Sequence, residues 1–364
     1  MSTLKVNTIQ KTGEGAPTIL TADASGNVTI DSGVTVGGEV ILPNQGSVGP
    51  TYYTFGVNSS ITFSSSLSGR MGMTLGQART HLATQTAFSS WGNNTEYFDI
   101  INGVMFWTVP QTGTYRFDVY GSQAGTLTWD GRGRGIRGSA NLSQGNILRI
   151  LVGQRGNTAN GQYSGGGGGS CVALVTIGGG YKPLLIGSGG SGQTPNSPGQ
   201  TGRDNNRDAR YDASDFQGQN TPEPGRGSMI QNTYGDISSY WYGGGGGSWC
   251  VDGEEGVTGY FPSSLQRPQN KGIALCNQQP KGGWSEVGAH GGFGGGGSTG
   301  RDSGSGGGGG GWRGGDCMYV TTGSAPDDNG GNTARCYYDV DMVSSVSDLG
   351  FNTSGGSVIL TRTA

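Results

Sequence analysis

From Val28 the chain reads VTIDSG, VTVGGE, VILPNQ, with apolar residues at the first and third positions of each six-residue step. Side chains two apart on a strand share a face, so Val28 and Ile30, Val34 and Val36, and Val40 and Leu42 would line one side of three short strands joined by turns. Three such steps cannot bury that side alone. Several copies of the chain winding their repeats about a common axis could, most simply three, which predicts an oligomeric stalk or connector. A small edge hairpin of a larger domain is the plainer alternative. Pro43 to Pro50 carries the Pro, Gly and Asn of a linker or turn. Residues 1–50 are therefore expected to form a β-repeat oligomerisation segment, and residues 51–364 a second unit.

In that second unit, Thr74 to Ala83 sets Leu75, Ala78 and Leu82 at helical spacing behind a Thr74 cap, predicting one short helix. The remainder reads as strand. GVMFWTVP from Gly103 and GTYRFDVYG from Gly113 are rich in aromatic and β-branched residues, and the Gln-Thr-Gly between them predicts a strand–turn–strand unit. ILRILV from Ile147, VALVTI from Val172, KPLLI from Lys182 and a last strand at Ser357 to Thr361 continue the pattern.

Between these segments lie the runs Gly165 to Gly169, Gly243 to Gly247, Gly294 to Gly297 and Gly306 to Gly311. They do not follow G-X-Y, which excludes collagen. A flexible linker is the usual reading of such tracts. It accounts poorly for runs of similar length flanked by aromatics, as Trp241-Tyr242 and Trp249-Cys250 flank one of them. The alternative is a lattice of polyglycine II helices, three residues per turn, whose outward N–H and C=O groups bond between neighbours that no Cβ keeps apart. The expected class is thus mostly β: a short N-terminal β-repeat stalk and a distal β-sandwich-like domain with a bundle of polyglycine II helices.

Composition sharpens this. Glycine supplies 77 of 364 residues, about three times its usual share, so an ordinary aliphatic core is ruled out. A net charge of −3 with 7 Trp, 15 Tyr and 10 Phe argues against disorder. The same charge provides no general field for nucleic acid or an acidic membrane surface. Met1 to Gln10 lacks an apolar core after a basic start and no run of 18 apolar residues occurs, so neither a signal peptide nor membrane insertion is expected. Cys171, Cys250, Cys276, Cys317 and Cys336 form no CxxC pair and read as small buried hydrophobes, with no metal and no cofactor implied.

Catalytic chemistry has little material. The two histidines are His81 on the predicted helix and His290 in a glycine-rich loop, and no GxSxG, HExxH or GxxxxGK[ST] sequence occurs. Gly133 to Gly138 fits GxGxxG but lacks the βαβ setting of a dinucleotide site. With Arg132, Arg134 and Arg137 it also has the look of an RGG segment; an exposed structural loop between strands is the preferred reading. Asp327 to Asn332 offers oxygen ligands without the bidentate acid of a calcium loop, and Glu254 and Glu255 would point to opposite faces of a strand. An enzyme is not expected. What remains are two polar insertions, Thr201 to Ile237 and Val251 to Trp284, carrying Tyr211, Phe216, Tyr260, Phe261 and Trp284 among Asp, Arg, Asn and Gln. Rings beside amides and carboxylates suit sugar or peptide recognition, or they cover the sides of the glycine lattice.

Several ordered motifs carry a resemblance: TGTYRFDVYG from Thr112, LSQGNILRILVGQRG from Leu142, GGGGGS from Gly165, PLLIGSGGSG from Pro183 and GGGGGGWRGG from Gly306. Over about Thr51 to Thr361 the chain resembles the glycine-rich domain of anaplastic lymphoma kinase ectodomains and its phage-encoded relatives. SSLSGRMGMTLGQARTHL, from Ser65, looks like the lead-in of the phage-type versions, and MSTLKVNTIQ resembles the N-terminus of tail-fibre and related virion proteins of marine bacteriophages. The resemblance implies a virion appendage, located on tail or capsid, made in the host cytoplasm and released by lysis. Its N-terminus would bind other virion proteins, the chain would form a homotrimer, and the distal domain of this tail fibre or adhesin would contact a host surface glycan or protein. A capsid or tail decoration protein without a receptor role, and a cell-surface polysaccharide depolymerase, are the alternatives. Unlike the kinase ectodomains the chain has no membrane span or kinase domain, and its odd cysteine count does not fit carried-over disulfides.

Overall fold

The computed structural model describes residues 8–10, 18–22, 28–30, 35–36 and 39–40 of the N-terminal region. Beyond these it describes 52–88, 91–126, 131–161, 163–192, 243–254, 270–285, 287–299, 306–315 and 334–364. Val34, Leu42, Tyr211, Phe216, Tyr260, Phe261 and the segment Asp327 to Asn332 lie outside them, as does Cys317. The protein is mostly β, with several antiparallel sheets and one helix among the described residues.

The chain divides into two compact units, Met1–Tyr53 and Thr54–Ala364. In the first, β1 (Thr8–Gln10), β2 (Thr18–Ala22) and β3 (Val28–Ile30) form an antiparallel sheet in that order. β3 falls on the first hexad. The second and third give a hairpin of β4 (Thr35–Val36) and β5 (Glu39–Val40), with Val36 paired to Glu39. The two residues between them are Gly-Gly, the sequence a two-residue hairpin loop favours.

The second unit opens with β6 (Ser60–Ser64) and α1 (Leu75–Leu82). The helix starts where its cap dictates: Thr74 accepts from the Gln77 amide at 3.3 Å and the Gln77 side chain accepts from the Thr74 amide at 2.9 Å. Ala78 and Leu82 are its buried face. β7 (Phe98–Ile101), β8 (Val104–Thr108), β9 (Gly113–Tyr120), β10 (Gly133–Leu142) and β11 (Ile147–Leu151) follow. After the small hairpin of β12 (Thr158–Ala159) and β13 (Tyr163–Ser164) come β14 (Ser170–Val175), β15 (Tyr181–Gly187), β16 (Tyr337–Tyr338), β17 (Ser344–Asn352) and β18 (Ser357–Arg362).

Two sheets result. One has the order β17-β10-β9-β18-β6 and the other β16-β15-β14-β11-β8-β7. They pack face to face, with β9, β10 and β18 against β14 and β15. Tyr115, Phe117 and Val119 of β9 share the inner face with Val358, Leu360, Ile61 and Phe63. Opposite them lie Met105, Trp107, Leu148, Ile150, Val172 and Leu185 of the second sheet. Rings supply the bulk that aliphatics cannot: Trp107 stands edge-on to Tyr115 at 6.0 Å and to Phe55 at 5.8 Å, and Phe88 contacts Trp91 at 4.8 Å and Phe98 at 5.3 Å.

The second sheet is buried on its other face too, where Val104, Leu151, Cys171, Ala173 and Ile186 meet Trp249, Leu275 and Phe293. Burial on both faces explains why ILRILV, VALVTI and PLLI read as unbroken apolar runs rather than alternating ones.

The strand–turn–strand unit forms as β8 and β9, and its two strands pair with different neighbours and not with each other. β8 pairs with β7 and β11, β9 with β10 and β18, so the turn after Pro110 carries the chain from one sheet to the other. The Tyr115 hydroxyl donates to the Gln111 carbonyl at 2.6 Å and fixes that corner. One expectation is overturned: the Arg/Gly stretch at Gly133 to Gly138 is no exposed loop but the start of β10, held between β9 and β17. Its glycines are steric necessities: a Cβ on Gly138 would strike Val343 and lie 3.1 Å from Leu185, and one on Gly135 would enter the Tyr120 ring. Its arginines are engaged, Arg137 gripping buried Asp118 through two bonds of 2.6 and 2.5 Å and Arg134 pairing with Asp348.

Strands of the second sheet run on into glycine segments: β11 into 152–157, β15 into 188–192, and Gly165 to Gly169 into β14. These segments are buried and bond to one another through the backbone. Gly165 and Gly168 donate to Asn157 and Gln154 at 3.1 and 3.0 Å, Gly166 and Gly169 to Gly297 and Gly294 at 2.9 and 2.8 Å, and Gly167 to Gly190 at 2.8 Å. Residues three apart thus reach the same neighbour. The rule recurs: Gly244 and Gly247 donate to Ser298 and Gly295, Gly308 and Gly311 to Gly244 and Gly247, Gly189 and Gly192 to Gly310 and Gly307. A Cβ on Gly166 would sit on the Gly308 carbonyl oxygen, one on Gly167 on that of Ser122, and one on Gly308 on that of Gly315.

Gly308→Ala therefore forces two backbones apart, and a loss of about 2 kcal/mol, roughly a 5 °C fall in melting midpoint, is expected. Gly76, on α1, has nothing within 4 Å of its added Cβ. Gly76→Ala is expected to be neutral or up to about 1 kcal/mol stabilising. Thermal melting of both checks the contrast, and equal midpoints would contradict it.

Candidate functional site

The segment Ser68 to Arg70 docks on the glycine layer: Gly69 donates to Arg155 at 2.8 Å, Phe293 donates to Gly69 at 2.7 Å, and Gly282 to Arg70 at 3.1 Å. That anchoring sends Met71 to Leu75 past the β7–β8 turn, where Asn102 and Gly103 both have positive φ, 53° and 85°, as a two-residue Asn-Gly hairpin loop requires. Gly72 and Gly103 touch backbone to backbone, and neither has room for a Cβ. Above this contact opens a cleft of about 350 Å³.

Met71, Met73, Leu75, Ile100 and Phe293 make its apolar walls, and Asn102, Gln279, Lys281 and Thr74 its polar groups. Lys281 makes no ion pair with a described residue. Flexible methionines beside one cation and several amides suit binding of a ligand with an apolar face and an acceptor group. The sequence reading missed this cleft. Its lining comes from four separate stretches of the chain, and only the Met-Gly-Met pattern before the helix hinted at it.

Of the ring residues expected to make contacts, Trp284 is described. It is 39% exposed and tilts against His290 at 6.4 Å between ring centres. Its carbonyl accepts from Ser298 Oγ at 2.6 Å, which ties it to the glycine layer. The other four, Tyr211, Phe216, Tyr260 and Phe261, lie in segments flanked on both sides by described residues. Gly192 donates to Gly307 at 2.8 Å and Gly244 to Ser298 at 2.9 Å, bracketing the segment that holds Tyr211 and Phe216. Gly253 donates to Gly272, and Asn270 accepts from Ser298, both at 2.8 Å, bracketing Tyr260 and Phe261.

His81 lies on α1, 2.7 Å from Ser64 Oγ at the surface, and no carboxylate among the described residues bonds to it. Among the described residues no group of three His, Cys, Asp or Glu could hold a metal ion. No described helix is long and apolar enough to cross a membrane. No protein-family model and no curated protein matches the sequence.

His290 anchors the Trp284 turn: its Nδ1 accepts the Ser285 amide at 2.9 Å, which requires the neutral ring. Burial first, and then Arg70, hold its pKa below the usual histidine value. A depressed histidine leaves stability fully present above the unfolded value near 6.5, and that stability falls as pH drops below it, because the unfolded chain takes up the proton first. The melting midpoint is expected to fall between pH 7.5 and 5.5, and His290→Asn is expected to flatten that slope. An unchanged slope in the variant would remove His290 as the cause.

Proposed function

We propose that this chain is a structural protein of a bacteriophage virion, a tail fibre or adhesin that presents a glycine-rich domain to the host cell surface. The observation that carries the reading is that the described residues flanking Tyr211 and Phe216, and those flanking Tyr260 and Phe261, are bonded into one backbone-bonded glycine layer. A rigid scaffold that launches variable polar segments is the arrangement by which binding surfaces are commonly built. The Met-lined cleft adds a second contact point within the described residues.

In this reading the glycine segments are polyglycine II helices. A helix of three residues per turn returns its N–H to the same direction every third residue, and the three-residue period of the hydrogen bonds supports that geometry. The N-terminal repeats serve as a trimeric β stalk and as the attachment to other virion proteins; the strands and hairpin found there support its β character. The protein acts in the virion after synthesis in the host cytoplasm, binding a surface glycan or protein rather than nucleic acid, and it does not insert in membrane. None of the described residues that line the cleft is a carboxylate, which lends no support to a polysaccharide depolymerase, since glycoside hydrolysis uses a carboxylate pair.

Purified full-length protein is expected to bind host cells and to compete with adsorption of the phage that carries it. Alanine at Tyr260, Phe261 or Trp284 is expected to weaken binding about tenfold or more at an unchanged melting midpoint, the usual cost of removing an aromatic anchor. No binding and no competition would replace the adhesin by a decoration protein.

A further inference from the structure

The apolar cover over the outer face of the second sheet brings two cysteines together. Leu275 donates to Ser248 at 2.9 Å and Cys276 donates to Trp249 at 2.8 Å, so the chain before and after the segment that carries Tyr260 and Phe261 runs side by side. A tight turn follows Trp249: Ser248 donates to the Val251 carbonyl at 2.8 Å, and the Val251 amide donates back to Ser248 Oγ at 3.0 Å. That turn sets Cys250 at the surface, one residue on from the Trp249 carbonyl that the Cys276 amide reaches. Cys276 is half-buried, and the loop that carries it is pinned from beneath by buried Arg149, which donates to the carbonyls of Leu275 and Asn277 at 2.7 and 2.8 Å. Cys171 lies deeper, with Arg149 Nη1 at 3.8 Å from its sulfur, and is fully buried.

We propose that Cys250 and Cys276 are a disulfide-forming pair, a reversible clamp across the root of the insertion that carries Tyr260 and Phe261. A backbone bond from Cys276 to the residue next to Cys250 holds the two cysteines on directly neighbouring segments, the close approach of main chains that a disulfide requires. The oxidant is a low-molecular-weight disulfide such as glutathione disulfide. The Cys250 thiolate attacks one of its sulfurs and expels one glutathione thiolate, leaving a mixed disulfide; the Cys276 thiolate then attacks the Cys250 sulfur and expels the second. Two protein thiols are oxidised to one disulfide, and glutathione disulfide is reduced to two glutathione molecules, which take up the two thiol protons. The surface position of Cys250 makes it the sulfur an oxidant meets first. Desolvation, and then Cys276, push its thiol up to about 12, so the reduced pair is slow to exchange at neutral pH and the reaction needs hours. The inference rests on the fold alone and stands whether or not the chain is an adhesin.

The test is incubation of the full chain with excess glutathione disulfide overnight, alkylation of remaining thiols, and peptide mapping by mass spectrometry. The expected result is a linked peptide joining Cys250 to Cys276 and the loss of two alkylatable thiols from the five in the chain. Cys250→Ser, a surface change, is expected to abolish the link, whereas Cys336→Ser leaves it intact. A stable glutathione adduct on Cys250 beside a free Cys276, a bond from either to Cys171 or Cys317, or two thiols that stay alkylatable would each overturn the proposal.

Discussion

Backbone touching backbone is the constraint on which this structure depends. At Gly166, Gly167 and Gly308 the position of a Cβ is already occupied by a neighbouring carbonyl oxygen. Ordering glycine is entropically costly, by roughly 0.5–1 kcal/mol per residue relative to alanine. Closely packed segments recover that cost through inter-segment hydrogen bonds, each contributing about 1 kcal/mol net. The glycine layer is thus a core made of peptide groups, and the scarcity of aliphatic residues stops being a puzzle.

The sandwich and the glycine layer depend on one another. β11, β14 and β15 pass directly into or out of glycine segments, so the strands set the spacing at which those segments start. In return Phe293, Trp249 and Leu275, all carried by the layer, cover the outer face of the second sheet. Arg149 reinforces the junction from within, its guanidinium 4.8 Å above the Tyr181 ring while it holds the Leu275 and Asn277 carbonyls. A cation buried this way is tolerated because its donors are satisfied.

The local signals were the legible ones. The Thr74 cap and the apolar spacing behind it placed the helix, and aromatic and β-branched runs placed β8, β9, β11, β14, β15 and β18. β10 was obscure because its buried positions include glycines that make room for Val343, Leu185 and the Tyr120 ring, a demand set by residues far away in the chain. The pairing of β8 and β9 with different sheets was hidden for the same reason, since a turn sequence does not say which partners flank each strand. The Met-lined cleft and the Cys250–Cys276 contact are tertiary juxtapositions, and no spacing rule marks either. Cysteine as a buried hydrophobe holds for Cys171 and Cys336 but not for exposed Cys250 or half-buried Cys276.

A rigid peptide-group core that roots long polar segments gives the proposed adhesin its logic, because a contact surface can then vary while the frame beneath it does not. The claim that the glycine runs are core, and not linker, is open to direct measurement by native-state hydrogen exchange read at single-residue resolution. The account predicts that the amides of Gly166 to Gly169 and of Gly308, Gly310 and Gly311 exchange as slowly as those of β9 and β18, since each donates to a buried carbonyl. Exchange of those amides at the rate of an unstructured peptide would contradict it.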